Sequence, residues 1–148
     1  MFKKILLAID GSEESKKAEE YAVELAKAMN GSITAINVVE ISSAITGAGS
    51  DVFYPQALGD AMALNIMKEN SESLLSEFKE KQKDKGIEIT TISAMGHVWN
   101  EVIEESERGN YSMIVLGSKG LSGITRMLIG SVAENVARHS KCPVLIVK

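Results

Sequence analysis

The chain has 148 residues, 45% hydrophobic and 24% charged, with a formal net charge of -4. That composition supports one domain with a buried core and excludes disorder as the default, while the acidic balance offers no basic face for nucleic acid. A single cysteine, Cys142, excludes an internal disulfide and a thiolate metal cluster, and no apolar run approaches the ~20 residues of a membrane helix.

In chain order, "ILLAI" (Ile5–Ile9) opens as a continuous apolar run, the pattern of a parallel strand covered on both faces. The basic start "MFKK" precedes it, but Asp10 closes the run early and no cleavage site follows. A signal peptide is therefore not expected, and the cytoplasm is the expected location. After Ser12, a good N-cap, a helix is predicted with Ala18, Tyr21, Ala22, Leu25, Ala26 and Met29 on its buried stripe, ending at Asn30-Gly31. "ITAINVV" (Ile33–Val39) is a second strand. Glu40 to about Pro55 reads as a long flexible loop of the lid or binding-loop kind.

A second helix carries Leu64, Met67, Ser71, Leu74, Leu75 and Phe78 inward and stops near Gly86. "IEITTIS" (Ile87–Ser93) alternates, as a half-exposed edge strand does. Trp99, Val102, Ile103 and Ser106 mark a third helix ending at Gly109-Asn110, and "MIVLG" (Met113–Gly117) a fourth strand. Val132, Ala133, Val136 and Ala137 mark a fourth helix, and "VLIV" (Val144–Val147) closes the chain as a fifth strand. Strand and helix alternating in this way give an α/β domain over residues 1–148, a parallel sheet with helices on both faces.

Ligands of open α/β sheets bind beyond the C-terminal strand ends, where the winding reverses. "AIDGS" ends the first strand there, and "GSKGLSGITRMLIGS" follows the fourth. Gly117 and Gly120 would let main chain approach a ligand, and Gly130-Ser131 falls at a helix start, where free amides attract anions. Lys119 and Arg126 flank or lie within the nine-residue turn between Gly120 and Gly130. A carboxylate beside phosphates is repelled unless a metal intervenes, so Asp10 is expected to face the other part of the ligand. Spacing alone leaves two readings open, a phosphate cradle or strand-end punctuation with a helix cap.

Gly117, two residues, Gly120, nine residues, Gly130-Ser131 resembles the G-x2-G-x9-G-[S/T] signature of ATP-binding universal stress proteins. The likeness runs through the whole chain, from "KKILLAIDGSEES" to "GSVAENVARHSKCPVLIVK". "GHVWNEVIEE" resembles the entry to the family's third helix, without the proline often found there. The resemblance implies a three-layer, Rossmann-like fold of the adenine nucleotide alpha hydrolase kind, an open sheet of five parallel strands ordered 3-2-1-4-5. It also implies ATP as ligand, with Mg²⁺ on its phosphates. Ile9 and Asp10 would lie at the adenine and ribose end, with Val38 against the base and Gly117 bordering the ribose. Ser118, Gly120, Gly130, Ser131 and Val132 would line the triphosphate. A homodimer would form through Val144–Val147, an apolar edge that needs covering in any case.

His139 reads as a favourable C-terminal charge, Cys142 as a small hydrophobe, and His97 as a helix opener at the mouth side. G-x-G-x-x-G is absent after the first strand and G-x-x-x-x-G-K-[ST] is absent throughout, which excludes the dinucleotide and P-loop patterns. Two functions remain in view. One is a nucleotide-dependent regulator that signals through its dimer surface or an unidentified protein partner. The other is an ATPase, for which no group positioned to activate water can be named.

Overall fold

The computed structural model describes residues 3–41, 54–120 and 128–148. β1 (Lys4–Ala8), β2 (Ser32–Glu40), β3 (Glu88–Gly96), β4 (Met113–Gly117) and β5 (Val144–Val147) form one sheet, parallel throughout, in the order β3-β2-β1-β4-β5. α1 (Glu13–Met29), α2 (Tyr54–Gln82), α3 (Val98–Arg108) and α4 (Ser131–His139) connect the strands. The expected fold is thus the observed one. The expected loop from Glu40 falls largely on residues 42–53, outside the described residues.

Strand alternation separates two cores. Ile5, Leu7, Ile33 and Ala35 pack with Ala18, Ala22 and Val23 of α1 and Leu75 and Phe78 of α2. Leu6, Ile36, Ile114 and Leu116 face the other way, onto Val102 of α3 and Ala133 and Val136 of α4. Each two-residue step along a central strand therefore feeds the same helical layer, which is why the central runs are apolar without interruption.

Helix ends follow local chemistry. Ser12 caps α1, its Oγ accepting from the Ser15 amide at 3.1 Å, and Asn30 closes the helix in the left-handed conformation at φ 49°. A 3-10 turn, Lys83–Lys85, extends α2 to Gly86 at φ 68°. Beneath the sheet, Tyr111 donates to the buried Glu105 at 2.9 Å, and burial raises the phenol above its ordinary range.

Several expectations shift. β3 starts at Glu88 and runs to Gly96 rather than spanning Ile87–Ser93, because the nine residues of β2 pair with it along their whole length. Tyr21, expected inward on α1, is 57% exposed, and Glu19 takes the buried place. Met67 of α2 and Ala137 of α4 are exposed, and Leu64 is half-buried.

Candidate functional site

β1 ends at Ala8, whereas β2 runs on to Glu40, so a notch opens beyond β1 at the C-terminal edge of the sheet, next to the β1–β4 seam where the winding reverses. Ala8, Ile36, Val38 and Leu116 point from the sheet into the α3–α4 layer, and alternation places Glu40 directly beyond Val38 on that face. The first turns of α3 and α4 stop short of closing the space. The result is a cavity of about 410 Å³.

All nine residues singled out in the sequence, Ile9, Asp10, Val38, Gly117, Ser118, Gly120, Gly130, Ser131 and Val132, lie on its wall. The structure adds detail at three of them. The Ile9 side chain is buried in the α1–α2 core, so only its main chain borders the cavity, with the amide bonded to Ile36 and the carbonyl to Asn37. A Cβ on Gly117 would stand 2.9 Å from the Glu14 carbonyl carbon, so the absence of a side chain here serves the packing of β4 against α1, while the residue still borders the cavity. Asp10 is not set apart from the glycine loop, since a Cβ on Gly120 would lie 3.1 Å from its Oδ2.

Asp10 is held firmly. Its Oδ1 accepts from the Ser12 amide at 2.9 Å, and its own amide donates to Ser15 Oγ at 3.1 Å. That leaves Oδ2 directed across the notch. Gly130, not Ser131, is the N-cap of α4, so no side chain caps this helix, in contrast to Ser12 at α1. The Gly130 amide donates to the Ser118 carbonyl at 2.7 Å, and Glu134 donates back to Gly130 at 3.0 Å. Ser131, Val132 and Ala133 line the cavity, and as first-turn residues their amides have no intrahelical acceptor. Arg126 lies outside the described residues.

Ser15, Asn37, Glu40, Val98 and Val102, none of them marked as site residues by the sequence motifs, also line the wall. Alternation from Val38 would have indicated Glu40, and the i, i+4 step links Val98 to Val102. The wall is polarised. Asp10 and Glu40 place carboxylates on the β1–β2 side, while Lys119 and the open end of α4 place positive character on the β4 side. His97 stands outside the wall, exposed, with Nδ1 3.6 Å from Glu40 Oε1. His139 stacks on Trp99 at 4.9 Å, and Cys142 packs half-buried against the α3–α4 core. Among the described residues, no three His, Cys, Asp or Glu side chains gather to hold a metal, and no helix is long and apolar enough to cross a membrane.

The universal stress protein family model matches residues 1–148. The chain belongs to this family. This universal stress protein is 38% identical over 152 residues to universal stress protein YxiE of Bacillus subtilis, with both chains covered in full. It is 32% identical to universal stress protein MJ0531 of Methanocaldococcus jannaschii, covering 100% of its own length and 83% of that protein. Among solved structures, the hypothetical protein MJ0577 superposes with a TM-score of 0.85 at 25% identity, covering 100% of this chain and 96% of the other. A universal stress protein of Arabidopsis thaliana, solved with AMP bound, shares the fold at a TM-score of 0.64 and 21% identity, covering 99% and 91%.

Proposed function

We propose that this universal stress protein binds an adenine nucleotide, ATP with Mg²⁺ on its phosphates, and acts as a nucleotide-dependent regulator. The observation that carries the reading is the uncapped first turn of α4, opening on Gly130 beside Gly120 and Lys119 in a cavity of about 410 Å³. Free amides at a helix start, without a competing side-chain cap, are suited to an anionic tail. The AMP bound to the Arabidopsis protein of the same fold is consistent with this reading.

The opposite end of the cavity suits a base. Ile36 turns its carbonyl toward β1, where it accepts from Ile9 at 2.9 Å, and Ile41 turns its amide toward β3, donating to Gly96 at 3.4 Å. By alternation the amide and carbonyl of Val38 face the β1 side, beyond the point where β1 has ended. One donor beside one acceptor complements the ring nitrogen and exocyclic amine of adenine, with Val98 and Val102 as the apolar wall. Asp10, between the two ends, is placed to accept from ribose hydroxyls. The cation would ride on the phosphates, adding charge neutralisation there.

Occupancy would be signalled through a dimer formed at β5 or through a protein partner. An ATPase reading has one observation in its favour, the closeness of Asp10 Oδ2 to Gly120. Mass spectrometry of small molecules released by denaturing the purified protein tests both. Released ATP that survives incubation with magnesium supports the regulator, accumulating ADP supports the ATPase, and release of a flavin overturns both.

A further inference from the structure

The notch between β1 and β2 is bridged by one side chain. In a parallel ladder the rung after Ile9 N–H to Ile36 carbonyl runs from the Val38 amide to the Ile9 carbonyl. That rung is missing from the described main-chain bonds. The Ile9 carbonyl instead accepts from Asn37 Nδ2 at 2.7 Å, a shorter contact than the 2.9 Å rung before it. Asn37 thus supplies the donor to that carbonyl, and β2 is not drawn onto β1 by one more rung. The Val38 amide is left facing the cavity that Val38, Ile9 and Asn37 all line.

We propose that Asn37 is a positioning residue for base recognition. Its carboxamide occupies the Ile9 carbonyl, and this keeps the Val38 amide available to the ligand. The proposal rests on the adenine-nucleotide reading for its ligand, though the open rung itself does not depend on it. Ile9 is 3% exposed, and a carbonyl this deep needs a donor. When Asn37 cannot supply one, the ladder register offers the Val38 amide, and a donor spent inside the sheet is lost to the base. The class of ligand follows. A base with an acceptor nitrogen beside an amine, as in adenine, uses the free donor. Hypoxanthine reverses the order, with N–H at the ring nitrogen and a carbonyl in place of the amine, so in the same pose its ring nitrogen gives the free donor no acceptor.

The test pairs affinity with amide exchange. ATP and ITP binding are measured by calorimetry for the unaltered chain, Asn37→Leu and Asn37→Gln, and Val38 hydrogen exchange is followed by NMR without ligand. Asn37→Leu is expected to slow Val38 exchange by about tenfold and to weaken ATP about tenfold, the scale of one hydrogen bond, while ITP changes less than about twofold. Asn37→Gln, which keeps a carboxamide donor, should stay within about threefold of the unaltered chain on all readouts. Asn37→Ser, too short to reach Ile9, replaces the leucine variant if that does not fold. Unchanged Val38 exchange, or ATP and ITP weakening in parallel, overturns the proposal. If the unaltered chain binds neither nucleotide, the nucleotide reading fails and the base-recognition role falls with it, while exchange still reports whether Asn37 holds the rung open.

Discussion

The carbonyl of Ser118 accepts from the amide of Gly130 at 2.7 Å, fastening the start of α4 to the loop that leaves β4. This bond sets where the first-turn amides point, and Gly117 and Gly130, on either side of it, differ in what a side chain would meet.

Gly130 has φ -65°, a conformation open to any residue, and an added Cβ would lie 3.2 Å from the Ser118 carbonyl oxygen. Gly130→Val is expected to remain folded by circular dichroism while ATP affinity falls at least about thirtyfold, roughly 2 kcal/mol. Gly117→Ala should do the reverse, because its Cβ meets α1 main chain at 2.9 Å. Urea unfolding is expected to show a loss of about 1–3 kcal/mol there. Full ATP affinity in folded Gly130→Val would refute the cradle.

Asp10 is positioned by Ser12 and Ser15 with Oδ2 directed across the notch. Asp10→Ala is expected to weaken adenosine and ATP by the same factor, about tenfold, as removal of a contact to the shared nucleoside would. Loss confined to ATP would assign the carboxylate to the phosphate side.

Glu19 is buried between α1 and α2, and desolvation is the largest influence raising its carboxyl above the ordinary range. Lys81 and Lys16 oppose that rise, and Glu77 and Glu20 add to it. A raised acid binds its proton more tightly folded than unfolded, so the carboxylate's cost is absent below the unfolded pKa and grows as pH rises through the folded one. Glu19→Gln is therefore expected to raise the urea midpoint at pH 7 and to give no gain near pH 3. A gain of equal size at both would contradict this account.

β5 is an edge strand, and its residues 144–146 are only half-buried. The carbonyls of Pro143 and Val147 accept from Ile114 and Ser118 of the β4 side, so the amide of Ile146 is directed at the free edge. Sedimentation is expected to show a dimer for the unaltered chain and a monomer for Ile146→Pro, which removes an outward donor and no β4 rung. A dimer in both would place the contact elsewhere.

Much of this was readable in advance, for reasons of range. The central strands are apolar because both faces are covered, a pattern visible within five residues, and the glycine spacing is equally local. Asn37 was not legible as a site residue, because its place depends on β2 outrunning β1, a difference between segments about thirty residues apart, and Val98 was not because α3 reaches the cavity only through the tertiary fold. Tyr21 misled for another reason. Spacing directs its ring to the core, whereas the α1 stripe of Ser15, Ala18, Glu19, Ala22, Val23 and Ala26 is centred to one side of it. A glutamate with a long aliphatic stem fills that stripe.

Ser118 spends both of its main-chain groups, the carbonyl on Gly130 and the amide on Val147 at 2.7 Å. A tug on the opening turn of α4 is thereby relayed to the final rung of β5 through one residue's backbone and no side chain. The cavity and the outermost strand are mechanically two links apart, and substitution of the Ser118 side chain would leave that linkage standing.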